Sequence, residues 1–219
     1  MFLLVNKPTG ITSHDVVNVL RRITGIKKIG HAGTLDPLAT GLLIVAINRE
    51  STKEIDRFVK LDKEYVATIK LGATSDTYDA EGKIIPASKS LAPSLDEIKK
   101  TINVFIGRQQ QIPPMFSAKK IGGKKLYDLA RAGKEIERAP SEIEIFSIKI
   151  LEYSYPILKI NVHCSSGTYI RSLANDIGAS LGVGGYLAAL ERTKIGKYEL
   201  KNSVALAELD KNNWKNYAS

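Results

Sequence analysis

One cysteine, Cys164, is all that the 219-residue sequence contains, so no disulfide can close within the chain. Its three histidines, His14, His31 and His163, stand far apart and form no recognisable metal-ligating pattern with that thiol. Long apolar runs are missing as well: nothing approaches the roughly 18 residues expected of a membrane span. The opening MFLLVNKPTG is short and has no basic leader, so it reads as a strand and not as a signal peptide. No glycine loop has the usual spacing for cradling a phosphate. These gaps describe a chain suited to a reducing cytoplasm, with no metal, no cofactor and no membrane partner expected.

What is present is ordinary globular composition, 43% hydrophobic and 25% charged. That is enough for a sizeable core, in one large domain or a domain with a subdomain. The formal charge of +9 favours a polyanionic partner, nucleic acid ahead of an anionic membrane. Residues 107–140 carry eight Lys or Arg against three acidic residues, which is +5 of that +9. Lys119-Lys120 and Lys124-Lys125 flank Gly122-Gly123 there, with Phe116 and Tyr127 nearby. The segment reads either as a solvated surface hairpin or as an arm that meets phosphates and stacks on bases.

FLLV near the start and GLLIVAIN at 41–48 have the aliphatic, β-branched content of strands. Between them Val16, Val17, Leu20 and Ile23 recur at helical spacing, with Ser13 as the expected N-cap. Residues 63–72 alternate like a strand, with Tyr65, Ala67 and Ile69 on one face. Ser94-Leu-Asp-Glu97 is a capping-box pattern that starts a helix through Ile98, Ile102 and Phe105. Residues 142–151 and 157–164 form a strand pair, and 168–181 an amphipathic helix. Without strict βαβ alternation the expected class is α+β, with a mixed, mostly antiparallel sheet flanked by helices.

Two segments stand out chemically. In GHAGTLDPLATG, residues 30–41, a single carboxylate, Asp36, sits between glycines and beside Pro37. Asp before Pro suits a helix N-cap, but a cap needs neither flanking glycines nor a neighbouring His31. Glycine also permits close approach of a ligand, so cap and site both remain open. In SGTYIR, residues 166–171, Arg171 falls in the first turn of its helix, where the dipole disfavours a cation. A carboxylate partner would compensate, and Asp36 is one candidate. Taken alone, Tyr65 reads as a packed aromatic, Cys164 as a core residue and His31 as a weak signal.

Together these motifs resemble those of the bacterial tRNA pseudouridine-55 synthases, the TruB family. Lys7-Pro-Thr-Gly10 and Gly30–Gly41 are similar to the family's opening motifs, Lys63-Glu-Tyr65 with TSDTYDAEG (residues 74–82) to the next. Gln111–Ala118 with Gly123–Tyr127 resembles its RNA-gripping insertion, and Cys164–Arg171 with Gly182–Leu190 completes the set. The likeness runs over residues 3–200, in order.

The resemblance implies a catalytic domain over residues 1–200 with the basic insertion at 107–140. It makes Asp36 the essential carboxylate, Tyr65 the residue that stacks on the target base, and Arg171 the partner of Asp36. His31 would help hold the extruded T loop, Tyr169 and Leu190 would line the base pocket, and Lys7, Lys119 and Lys120 would contact substrate. The expected partner is the T arm of tRNA, with no protein partner and a monomer as the default. Two departures accompany it: residues 201–219 are too few for the family's C-terminal RNA-binding domain, and Glu191 stands where a basic residue is common. Competing readings are a non-catalytic RNA-folding module, a guide-dependent synthase, and a uridine methyltransferase using Cys164.

Overall fold

The computed structural model describes residues 1–87, 91–115, 120–121, 124–125 and 136–218. The chain divides into two compact units, residues 1–66 with 190–219, and residues 67–189. Among the described residues no helix is long and apolar enough to cross a membrane.

The first unit begins with β1 (Phe2–Lys7), α1 (Ser13–Thr24), β2 (Ile29–Ala32) and β3 (Thr40–Ile47). Strand β3 pairs antiparallel with β1 and with β2. Its sequence TGLLIVAI is apolar throughout because both of its faces are covered. Leu43, Val45 and Ile47 pack with Leu3, Val5, Val16, Val17 and Leu20, while Leu42 and Ile44 pack with Phe58 and Ile195 on the other side. Helix α1 starts one residue earlier than the sequence pattern suggests. Thr12, not Ser13, is the N-cap, forming a capping box with Asp15. The hydroxyl of Ser13 is engaged elsewhere, as described below. Two short helices, α2 (Arg49–Lys53) and α3 (Asp56–Val59), lead to β4 (Lys63–Leu71), on which Tyr65, Ala67 and Ile69 are buried as the alternation requires.

Residues 190–219 return to this unit. Strand β12 (Gly185–Ile195) ends beside β3 in parallel register, Glu191 opposite Thr40 and Arg192 opposite Gly41. It pairs with β13 (Tyr198–Glu199), and β14 (Val204–Ala205) adds in parallel to β1. Trp214 is 4% exposed and belongs to the same cluster as Leu3 and Val5. The last residues therefore help to close this core. Trp214→Ala should lower stability by about 3 kcal/mol, the low end for a buried tryptophan because the short 3₁₀ turn that carries it can relax. A denaturant titration reads this as a lower midpoint at unchanged slope.

The second unit holds the ends of β4 and β12 with β5 (Ala73–Ser75), β6 (Ile84–Pro86), α4 (Leu95–Val104), β7 (Gly107–Gln111), β8 (Lys120–Ile121), β9 (Lys124–Lys125), β10 (Ser141–Ser154), β11 (Ile157–Cys164) and α5 (Ile170–Ser180). Strand β10 pairs antiparallel with both β11 and β7. Ser94 and Glu97 form the expected capping box at the start of α4. Cys164 is a fully buried thiol of β11. With β1·β14 and β3·β12 parallel and the pairs β1·β3, β2·β3, β12·β13, β5·β6, β7·β10 and β10·β11 antiparallel, the fold is α+β with a mixed, mostly antiparallel sheet, as expected.

Candidate active site

Asp36 lies on the loop between β2 and β3. Its local conformation settles the question of a cap: the Ala39 amide donates to the Asp36 carbonyl at 3.1 Å, closing a turn with Pro37 at its second position, and no helix follows.

A strap from the KPTGITS segment fixes one side of this loop, bond by bond. Thr9 Oγ1 donates to the Leu38 carbonyl at 3.1 Å, and the Gly10 amide donates to the Pro37 carbonyl at 2.9 Å. Lys7 is fully buried, and its ammonium donates to the carbonyls of Pro8, Ile11 and Pro37 at 2.8, 2.7 and 3.4 Å. Ser13 Oγ donates to the Leu35 carbonyl at 3.1 Å and accepts from the Leu35 amide at 2.8 Å. The backbone on both sides of Asp36 is thus held by a neighbouring segment, at roughly 1 kcal/mol per bond.

Strand β12 fixes the neck of the loop. Thr40 Oγ1 donates to the Leu190 carbonyl at 3.3 Å. Arg192, 1% exposed, donates from Nε to the Leu42 carbonyl at 2.8 Å and from Nη2 to the Gly33 carbonyl at 3.0 Å. The alternation of β12, with Leu190 and Arg192 both inward, was the available signal for this residue; its charge masks it in the sequence. Gly41 has a φ of +101°, and a Cβ there would lie 2.4 Å from the Arg192 carbonyl oxygen. The protein's own backbone, with no ligand involved, already requires this glycine.

His31 is mostly buried on β2, opposite Val45, and its Nδ1 has no hydrogen-bond partner among the described residues. Burial, then the positive charges of Arg192 and His14, hold its pKa below the ordinary imidazole range. Above pH 6.5 the ring is neutral whether the chain is folded or unfolded, so it adds no pH dependence. Below that, the unfolded chain takes up a proton the folded chain resists, and stability falls. Wild type should therefore lose more melting temperature than His31→Asn between pH 7 and pH 5, which paired thermal melts will read. Tyr65 and Leu190 complete the residues of this unit expected at the site, each 8% exposed.

In the second unit, Arg171 follows Ile170 in the first turn of α5 and is 4% exposed. The compensating carboxylate that its position demands includes one the sequence did not single out, Asp79. Arg171 Nη1 donates to Asp79 Oδ2 and to the Thr77 carbonyl, both at 3.3 Å. Asp79 is 2% exposed and also accepts from Thr77 Oγ1 at 2.6 Å and from the Glu81 amide at 3.0 Å. Tyr78, between them, has a φ of +65°, a costly conformation for a side chain of its size. Leu187 holds it there, its amide donating to the Tyr78 carbonyl at 2.9 Å and its carbonyl accepting from the Ala80 amide at 3.0 Å. Tyr169 precedes α5 with its backbone fixed by Gln111: Oε1 accepts from the Tyr169 amide at 2.8 Å and Nε2 donates to its carbonyl at 3.0 Å. Lys119 lies outside the described residues, and Lys120 is described only as the first residue of β8.

The half-buried carboxylate of Asp36 thus stands on a loop tied from two sides. Comparison with known proteins says for what chemistry. Residues 21–170 match the model of the TruB family pseudouridylate synthase N-terminal domain. The chain belongs to the TruB family. Residues 171–219 match the model of the tRNA pseudouridylate synthase B C-terminal domain. The tRNA pseudouridine synthase B of Protochlamydia amoebophila (strain UWE25) is 48% identical over 207 residues, covering 94% of this chain and 78% of that protein. The protein of the same name from Clostridium novyi (strain NT) is 51% identical over 215 residues, covering 98% and 74%. Among solved structures, a chain of a Cbf5–Nop10–Gar1 complex superposes with a TM-score of 0.73 at 28% identity. It is matched over 95% of this chain, which spans about half (53%) of its length. This TruB-family chain is accordingly a tRNA pseudouridine synthase, and neither the methyltransferase nor the non-catalytic reading stands.

Proposed function

We propose that this chain converts the uridine at position 55 in the T loop of tRNA to pseudouridine, unaided by a guide RNA or a protein partner, and with Asp36 as the carboxylate that the reaction requires. The observation that carries this reading is family membership at near-half identity to proteins named for tRNA, together with a single carboxylate on a loop tied from two sides.

The chemistry breaks the bond from N1 of uracil to C1′ of the ribose, turns the base, and forms a new bond from C5 to C1′. The C5 hydrogen leaves as a proton, N1 gains one, and no electrons are exchanged with a donor. Asp36 serves either as the nucleophile on sugar or base, or as the base that promotes loss of uracil. Flipping the target out of its loop costs a few kcal/mol, and stacking on Tyr65 returns about 1–3 kcal/mol. Tyr65 and Leu190, nearly closed to solvent, favour rebound of the base over capture by water. Arg171 is assigned to keeping the Asp36 carboxylate ionised, and His31 and Tyr169 to holding the extruded nucleotide. Lys7, expected to contact substrate, is fully buried with its ammonium on backbone carbonyls, Pro37 among them, and is assigned instead to fixing the Asp36 loop. The basic segment 107–140, Lys119 and Lys120 included, grips the RNA backbone. The enzyme is read as a cytoplasmic monomer.

Release of tritium to water from tRNA labelled at C5 of uridine tests this directly. Wild-type enzyme should liberate one equivalent per tRNA, and none from a transcript whose target uridine is replaced by cytidine. Equal release from both transcripts would refute the assignment to that position.

A further inference from the structure

Among the described residues Arg192 is the largest of the fully buried side chains, and its charge is used in an unusual way. Burying a guanidinium is costly unless its donors are satisfied. Here no ion pair to Arg192 is found among the described residues, and its hydrogen bonds go to two backbone carbonyls, those of Gly33 and Leu42. These carbonyls flank the loop that carries Asp36, Gly33 directly after β2 and Leu42 as the third residue of β3. One planar side chain therefore closes the neck of a ten-residue excursion, Nε toward one end and Nη2 toward the other. The backbone of Arg192 lies against Gly41 at the same neck, in register across β12 and β3.

We infer that Arg192 is a positioning residue for catalysis, whose two-carbonyl clamp on Gly33 and Leu42 sets where the Asp36 carboxylate stands. Three features support a role beyond filling the core. The clamp joins Gly33, just past the end of β2, to Leu42, near the start of β3, and so spans the whole segment that carries Asp36. Each bond is charge-assisted, and such bonds are about twice as strong as neutral ones. A lysine there would keep the charge but would present it from one nitrogen, without the planar fork that separates the two donors. Since a misplacement of 1 Å in a catalytic group costs about 10²-fold in rate, a loosened neck should be felt in the chemical step and not in RNA affinity, which other contacts supply.

The inference rests on Asp36 being the catalytic carboxylate, and the experiment separates the two. Single-turnover pseudouridine formation and tRNA binding are measured for wild type, Arg192→Lys and Arg192→Gln, alongside hydrogen exchange of the free proteins. Arg192→Lys is expected to react about 10²-fold more slowly, with tRNA binding within about threefold of wild type. The amides of Leu35 and Ala39 should exchange faster, while those of β10 and β11 stay unchanged. Arg192→Gln should lose at least as much rate. Wild type without turnover would remove the functional reading itself. Wild type with turnover, matched by Arg192→Lys, would overturn the clamp. So would loss of fold in both variants with exchange raised throughout, because Arg192 would then be a core residue alone.

Discussion

Asp36→Asn should abolish turnover, lowering the single-turnover rate by at least about 10⁴-fold, the scale typical for loss of an essential carboxylate. Its melting temperature and tRNA affinity should stay near wild type. Asparagine has the shape of aspartate but neither its charge nor its basicity. The bonds that fix the loop run to the backbone of Gly33, Leu35, Pro37, Leu38 and Leu42, and the substitution leaves all of them in place. Loss of activity with the fold intact would mean that the carboxylate does chemistry. A comparable fall in melting temperature would instead make it a structural turn residue, as Asp before Pro often is. Differential scanning calorimetry beside the rate measurement distinguishes them.

Gly41→Ala should be severely destabilising, because backbone conformation and space both oppose the added methyl. Alanine pays for a φ of +101°, and its Cβ would stand 2.4, 2.7 and 3.0 Å from the carbonyl oxygen, amide nitrogen and carbonyl carbon of Arg192. None of these is the flexible end of a side chain, so β12 must shift away from β3. A loss of at least about 4 kcal/mol is expected, in the range reserved for specific steric or burial failures. For a chain of this size that corresponds to about 10 °C of melting temperature. Gly33→Ala is the control. It stands at the other end of the same loop with a φ of +84°, but its new Cβ would meet only Arg192 Nη1, at 3.5 Å. Backbone conformation alone should then cost about 1 kcal/mol. Thermal melts of the two variants, side by side, test whether strand approach or loop geometry makes Gly41 necessary.

These two glycines show what the sequence could and could not tell. Their presence on both sides of Asp36 marks the loop, but the reason suggested by sequence, room for a ligand, differs from the one the structure gives at Gly41. Periodicity revealed the elements that depend on local pattern: the unbroken apolar run of β3, the alternation around Tyr65, the Ser94–Glu97 box and the apolar face of α5. It misplaced the cap of α1 by one residue because Thr12 and Ser13 are chemically alike. Only the fold decides that Ser13 is needed at Leu35, 22 positions away.

The residues that sequence reasoning overlooked have the same cause. Arg192 meets carbonyls some 150 positions back in the chain, and Arg171 meets Asp79 across 92 positions. In a linear sequence Arg192 and Asp79 read as ordinary surface charges; burial and long-range pairing make them structural. That Arg171 needed a carboxylate was legible from its place in a helix's first turn, whereas Asp79 as a partner was not.

The measurement that tests the account most directly is a pseudouridine map of an unmodified tRNA transcript incubated with the purified wild-type chain alone. One new pseudouridine at position 55 of the T loop is the expected result. A folded protein that binds the transcript and leaves every uridine unmodified would contradict the account.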